Sequence, residues 1–451
     1  MVNPQRIPPQ PTPIMTLGRP FQEFAGRESS GGIVLLTCTV VALVWANSPW
    51  AQSYTDFWHT PFSIGLASFN LSKELHFWVN DALMAVFFFV VGLEIKRELL
   101  AGELASRRQA ALPIIAALGG VLVPALIYSA FNANGPGARG WGIPMATDIA
   151  FAIGVMALLG DLVPLGLKLF LTALAIVDDI AAVLVIAVFY TPDLAWEALG
   201  IAAFCLLLAL GANRLGVRHP LPYVLIGAVL WMTVLQSGIH STIAGVLLAF
   251  VIPSRTAINQ RDFVQHGRAV LDHFERAAQT ERFDILSDIE QQIAVDALED
   301  ACEKVQPPLH RLEHALHPWV TFLIMPLFAL ANAGVSLSGD LGNAVAQPIT
   351  LGIVLGLVLG KPIGVTLASW LAVRLGLASL PENVSWSHIH GAGWLAGIGF
   401  TMSLFMTSLA FSSDVHLTAA KLGILIASLC AGIVGSAILM RTPPSSDTRS
   451  S

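Results

Sequence analysis

The sequence predicts an all-α polytopic membrane protein with about twelve transmembrane helices. Three observations carry that prediction. The 451 residues are 55% hydrophobic and only 12% charged, with a mean hydropathy of +0.69. Soluble domains carry about 25% charged residues, so lipid must be the solvent for much of this surface. The hydrophobic residues gather into runs of the ~20 residues needed to cross a ~30 Å hydrocarbon core. The basic residues between those runs are distributed unequally between alternate loops.

The runs fall at about 31–48, 77–99, 110–131, 140–160, 165–190, 196–213, 221–236, 239–253, 317–336, 347–373, 388–411 and 416–440. The seventh and eighth are short and separated only by Gln236-Ser237-Gly238. This divides the chain into a tail over 1–30, eight spans over 31–253, an insert over 254–312, four spans over 313–440 and a second tail over 441–451. The first tail is polar and proline-rich, without the short apolar core and cleavage site of a signal peptide. With the N-terminus cytoplasmic, 20 of the 24 Lys and Arg residues lie inside, and only Lys73 and Arg139 lie outside. Without the insert the balance is still 13 to two. The positive-inside rule therefore places both termini in the cytoplasm.

Phe62–Leu71 alternates apolar with small or polar residues, the pattern of a short periplasmic β-hairpin. Residues 255–312 are charged and partly amphipathic, with Phe263, Ala269, Val270 and Phe274 among them, which suggests a cytoplasmic helical insert or a solvated spacer. Cys38, Cys205, Cys302 and Cys430 are scattered without metal-ligand spacing and read as free thiols without a role.

Charges inside the spans need a reason, because each costs ~2.5–3.5 kcal/mol at mid-bilayer even on the gentler insertion scale. Asp148 falls in the fourth span, Asp178 and Asp179 in the middle of the fifth, and Lys361 in the middle of the tenth. Were all ionised and unpaired, the sum of ~10–14 kcal/mol would rival a whole folding free energy. They must pair, protonate or line a hydrated cavity. Adjacent helix positions point about 100° apart, so Asp178 and Asp179 face different neighbours. One can bind a cation while the other meets Lys361 or water. Such a pair suits the competition between a proton and a cation; its bland alternative is a packing pair held by hydroxyls or Lys361.

Gly142 and Pro144 precede Thr147-Asp148 in the fourth span, and Gly391, Gly393, Gly397 and Gly399 punctuate the eleventh. Pro144 also fits a first-turn proline, and the glycines fit close helix packing. As interrupted helices, however, the two spans occupy corresponding places in triplets of opposite topology, spans three to five and ten to twelve. Two inverted-topology repeats with broken helices at mid-membrane are the architecture of secondary transporters.

The motifs Ala146-Thr147-Asp148-Ile149-Ala150-Phe151, Val177-Asp178-Asp179, Gly360-Lys361-Pro362 and Gly397-Ile398-Gly399-Phe400-Thr401 resemble those of NhaA-type sodium/proton antiporters. So do Val91–Glu98, His240–Gly245 and Leu312–Trp319. The likeness covers roughly 20–255 and 312–440, and the insert is longer than that of the family's best-known members. The resemblance implies a Na+/H+ exchanger, carrying Li+ as well, in the bacterial inner membrane, working by alternating access for sodium extrusion and pH homeostasis. It implies that Asp178 and Asp179 bind Na+, that Thr147 and Asp148 lie beside them at the helix crossing, and that Lys361 balances broken-helix ends or pairs with an aspartate. It implies no cofactor beyond the transported Na+ and H+, no nucleic-acid partner, membrane lipid around the spans, and a homodimer.

Sodium is a hard cation suited to carboxylate, hydroxyl and carbonyl oxygens, which these segments supply. The resemblance also implies a regulatory set: Glu94 and Glu98, four apart at the cytoplasmic end of span two, with Glu313, His314 and His317 at the start of span nine. Histidines there could respond near neutral pH; the plainer alternative is a charge cluster that fixes topology. His240 is a further candidate, or a helix-entry histidine satisfied by backbone. An intramembrane aspartyl protease would need two carboxylates converging from different helices, which an adjacent pair does not offer. An organic-solute symporter would need a further polar cluster, and a channel would need polar rings along a pore.

Overall fold

The computed structural model describes residues 30–66, 69–191, 194–278, 289–336 and 341–442. The expected tails fall outside these residues, except for Ser30, Arg441 and Thr442. The chain is an all-α polytopic membrane protein. In chain order, α1 is Ser30–Ala46 and α2 is Ala51–Trp58. Strands β1 (Pro61–Leu66) and β2 (Phe69–Glu74) follow, then α3 (Leu75–Ala101) and α4 (Arg107–Asn132). A 3₁₀ stretch, Ala138–Met145, leads into α5 (Ile149–Leu159) and α6 (Leu165–Phe189). Next come α7 (Trp196–Arg214), α8 (Pro220–Gln236), α9 (Ile243–Val251), α10 (Gln260–Ala278), α11 (Ile289–Val305) and α12 (Pro308–Asn332). The last long elements are α13 (Pro348–Arg374), α14 (Trp386–Ala396), α15 (Phe400–Ala410) and α16 (Asp414–Met440).

Among the described residues eight helices are long and apolar enough to cross a membrane, or up to ten if each sharply bent pair counts as one span. The pairs are α1 with α2, bent by 116°, and α14 with α15, bent by 44°. The 17 residues of α8 reach about 26 Å and the nine of α9 about 14 Å, both short of the hydrocarbon core. Gly238, at φ 84°, ends the turn that separates them. Such a φ is open to glycine without a Cβ penalty.

The chain divides into two compact units. One contains α1, α2, most of α4, α5, the first part of α6 through Asp179, the end of α12 and α13–α16. Here α4 crosses α13 at two glycines: a Cβ on Gly119 would stand 2.3 Å from the Gly364 carbonyl oxygen, and one on Gly364 2.2 Å from that of Gly119. Only bare backbone allows this approach, and it brings Lys361, one turn before Gly364, alongside Gly120. The widened π turn Gly356–Gly360 directly precedes Lys361, and Pro362 follows it. Single π turns interrupt the regular ladder and recur at functional positions.

The second unit contains the hairpin, α3, the rest of α6, α7–α11 and the first part of α12. The strands pair antiparallel, from Pro61 opposite Glu74 to Leu66 opposite Phe69. Glycine again sets the helix crossing, since a Cβ on Gly245 of α9 would stand 2.2 Å from the Ala85 carbonyl oxygen of α3. Leu93, Cys205, Tyr223, Leu230 and Leu248 share the apolar core of this unit. Beyond α9, α10 and α11 pack together, and the Ala257 and Ile258 amides donate to the Lys304 carbonyl, closing the base of the pair.

Candidate ion-binding site

Two backbone interruptions build the site. Between the 3₁₀ stretch and α5, residues 146–148 are not helical, and Ala146 and Asp148 are extended. Pro144 belongs to the 3₁₀ stretch and has no amide to continue a ladder. Between α14 and α15, Gly397–Gly399 interrupt the second helix. A Cβ on Gly397 would stand 2.5 Å from the Leu357 carbonyl oxygen, so only glycine permits this crossing.

The interruptions bond to each other. The Asp148 amide donates to the Ile398 carbonyl at 2.7 Å. Asp148 Oδ1 accepts from the Phe151 amide at 2.9 Å, capping α5. Its Oδ2 accepts from the Thr401 amide at 3.1 Å and from the Thr401 hydroxyl, at the first turn of α15. One carboxylate thus serves the starts of two helices, where unsatisfied amides and the helix dipole both favour negative charge. Ser403 Oγ adds a bond to the Ile143 carbonyl at 2.8 Å.

Asp178 reaches this crossing from α6, with Asp179 next to it in the helix; both are fully buried, as are Thr147 and Lys361. Asp178 Oδ2 pairs with Lys361 Nζ. The Thr147 hydroxyl accepts from Lys361 Nζ at 3.0 Å. It lies 2.7 Å from Asp178 Oδ2 and 2.8 Å from the Ala396 carbonyl, so its one proton can go to either. Asp178 Oδ1 is buried and accepts no hydrogen bond among the described residues. Leaving such an oxygen unsatisfied costs about 1–3 kcal/mol or more, a cost that a proton or a small hard cation would remove. Carboxylate, hydroxyl and peptide carbonyl, all oxygen donors, stand together there.

Of the residues picked out by sequence, Thr147, Asp178 and Lys361 are bonded together, Asp179 adjoins them on α6, and Asp148 is bonded at the crossing. Thr401 was the partner not singled out. Its signal was the Gly397–Thr401 motif, but its bond to Asp148 joins residues 253 apart.

The regulatory candidates lie in the second unit. Arg97, also not singled out, bridges two of them, with 3.1 Å to Glu98 and 3.2 Å to Glu313. Glu98 further accepts from the Glu103 amide at 3.0 Å, and Glu94 stands one turn before it on α3. His314 stacks on His310 with ring centroids 6.3 Å apart, and His317 follows on α12. His240 bonds Thr242 Oγ1 through Nδ1 at 2.9 Å. Its Nε2 lies 3.9 Å from Asp81, a carboxylate that accepts from Ser241 Oγ at 2.8 Å.

Residues 22–439 match the family described as Na+/H+ antiporter 1. A Na(+)/H(+) antiporter NhaA of Oleidesulfovibrio alaskensis is 54% identical over 433 residues, 96% of this chain and 95% of the relative. Proteins of the same name from Koribacter versatilis and Acidithiobacillus ferrooxidans are 51% and 52% identical, covering 95% and 92% of this chain and 93% and 96% of their own. With its buried carboxylates held at the meeting of two interrupted helices, the chain belongs to the Na+/H+ antiporter 1 family.

Proposed function

We propose that this protein exchanges Na+, and Li+ with it, for H+ across a bacterial inner membrane, serving sodium extrusion and pH homeostasis. The observation that carries this reading is Asp178 Oδ1, a buried carboxylate oxygen without a hydrogen bond beside Thr147 and the Lys361 pair. Na+ binds between Asp178 and Asp179 with help from the Thr147 hydroxyl, and H+ takes the same carboxylates when Na+ leaves. Asp148 stays bonded to Phe151 and Thr401, holding the crossing while the ion exchanges. Twelve spans in two inverted repeats, with both termini cytoplasmic, rock about this point so that it opens to each side in turn. The Glu94, Glu98, Glu313, His314 and His317 cluster and His240 adjust the rate to pH. In vesicles holding the purified protein and a preformed proton gradient, added Na+ is expected to collapse the gradient. A gradient that decays at the same rate with and without Na+ would overturn the proposal.

The homodimer belongs to the same reading. Among the described residues the two strands pair with no third, and an open edge readily pairs with another copy. Deleting 62–71 is expected to shift the protein toward monomer in detergent, read by its mass on light scattering, while exchange continues. An unchanged dimer fraction would remove the hairpin from the interface.

A further inference from the structure

The Ala396 carbonyl, 2.8 Å from the Thr147 hydroxyl, and the Ile398 carbonyl, which accepts from the Asp148 amide, belong to the end of α14 and the break that follows it. The other end of α14 is about 16 Å away along its 11 residues. Two histidines fasten that portion of the helix, and neither takes part in the ion site.

His390 Nε2 accepts from the Trp394 indole N–H at 3.1 Å. An indole nitrogen only donates, so this ring nitrogen carries no proton. The neutral ring then has its proton on Nδ1, which lies 3.1 Å from Thr366 Oγ1 on α13 and donates to it. His388 is arranged in the opposite sense. Its Nδ1 accepts from the Ser385 amide at 3.0 Å, and the Ser385 hydroxyl stands at the same distance. Its Nε2 lies 3.1 Å from the Thr442 carbonyl, just beyond α16, and donates to it. One ring ties α14 to α13 and the other ties it to the end of α16. In both, the nitrogen that a second proton would occupy already faces an N–H donor, so protonation sets two donors against each other.

Among the described residues the helices packed most closely on α14 are α13, α16 and α5. Their ionisable groups are Lys361 and Arg374 on α13 and Asp414, His416 and Lys421 on α16; α5 has none. Arg441 follows α16, and Glu382 precedes α14. Lys361 is engaged at Asp178, Arg374 lies over the Trp370 ring and His416 lies against Phe411. Among the described residues no carboxylate bonds either histidine.

We propose that His388 and His390 form a clamp that holds α14 to α13 and to the end of α16 only while both rings are neutral. Protonation releases this half of the interrupted span and lowers the maximal rate of exchange, because the Ala396 and Ile398 carbonyls lose their fixed place beneath Thr147 and Asp148. The rings are positioning residues that act through α14. The proposal rests on the antiport reading for its effect on rate but not for the clamp itself.

The test is the maximal rate at saturating Na+, where competition at the carboxylates is removed, measured in proteoliposomes between about pH 5.5 and 8.5, the range in which histidine changes charge. The wild-type rate is expected to fall about fivefold or more on acidification, and the fall to shrink below about twofold in the His388→Asn/His390→Gln double variant, whose amides do not titrate. Trp394→Phe removes the donor that faces His390 Nε2, so the pH at which its rate falls should change. A merely structural tryptophan would lower the rate equally at every pH. A wild-type rate that does not fall, a double variant with the wild-type fall, or a Trp394→Phe profile lowered without moving would each overturn the clamp. Should wild-type protein move no protons with Na+ at pH 8, the antiport reading fails instead. Thermal unfolding then decides the clamp: the wild-type Tm should drop with acid, and in Trp394→Phe that drop should begin at a different pH.

Discussion

Asp178→Asn and Asp179→Asn are each expected to abolish Na+-driven proton movement, but only the first should also destabilise the protein strongly. Both remove a titratable oxygen pair from the crossing, and an amide neither binds Na+ as a carboxylate does nor exchanges a proton near neutral pH. The difference lies in Lys361. Its ammonium is fully buried and pairs with Asp178 Oδ2. Removing one partner of such a pair leaves an uncompensated charge in low dielectric, typically at about 3–5 kcal/mol. Asp179→Asn leaves the pair intact and should unfold within about 1 kcal/mol of wild type, in the usual range for a substitution that strands no charge. Replacing both partners, as in Asp178→Asn/Lys361→Met, should recover much of the lost stability, because no charge is then left unpaired in the low-dielectric interior. Exchange should stay absent. Thermal unfolding in detergent beside Na+-driven proton movement in vesicles reads both effects. An Asp178→Asn protein that exchanges at the wild-type rate would remove that carboxylate from the mechanism. Equal Tm values for the two single variants would mean that Lys361 does not depend on Asp178.

The membrane architecture was legible because hydropathy is a local property: a run such as 347–373 declares its length and solvent without reference to the rest of the chain. The interruptions were partly legible for the same reason, since Pro144, Gly397 and Gly399 restrict or free their own backbone. What Asp148 does was not. The resemblance set it with Thr147 at the helix crossing, and the structure bonds its oxygens there to the Phe151 amide and to Thr401. Only the meeting of two distant interruptions decides that. Arg97 was visible between Glu94 and Glu98, but its bridge to Glu313 joins helices far apart in the chain. The apolar run 239–253 is a further case. Hydropathy reads it as one span, yet only Ile243–Val251 is helical, because Ser237 to Thr242 form turns around Gly238. The eight residues of α2, folded back at 116° to α1, are too few for periodicity to declare a helix.

Apparent Na+ affinity is expected to fall about tenfold for each pH unit of acidification if one proton competes for the site, and about a hundredfold if two do. The reason is linkage: a cation that needs ionised carboxylates must expel whatever protons they hold, and by reciprocity the protons weaken the cation by the same factor. Each tenfold step is ~1.4 kcal/mol. The slope of log affinity against pH therefore counts the protons displaced per Na+, and the two adjacent carboxylates allow either value. Asp178 shares its charge with Lys361, so a slope of one would point to Asp179 as the competing acid, with the pair unchanged through the cycle. A slope of two would mean that the Asp178–Lys361 pair also changes protonation when Na+ binds. Well above the effective pKa of the site the affinity should level off, because no proton is left to displace. The measurement is the Na+ concentration giving half-maximal exchange at several pH values, which separates affinity from any acid loss in maximal rate that follows release of α14. An Na+ affinity that stays constant from acid to alkaline pH would leave the two ions on separate sites, and a carboxylate shared in turn by Na+ and H+ would be the wrong mechanism for this protein.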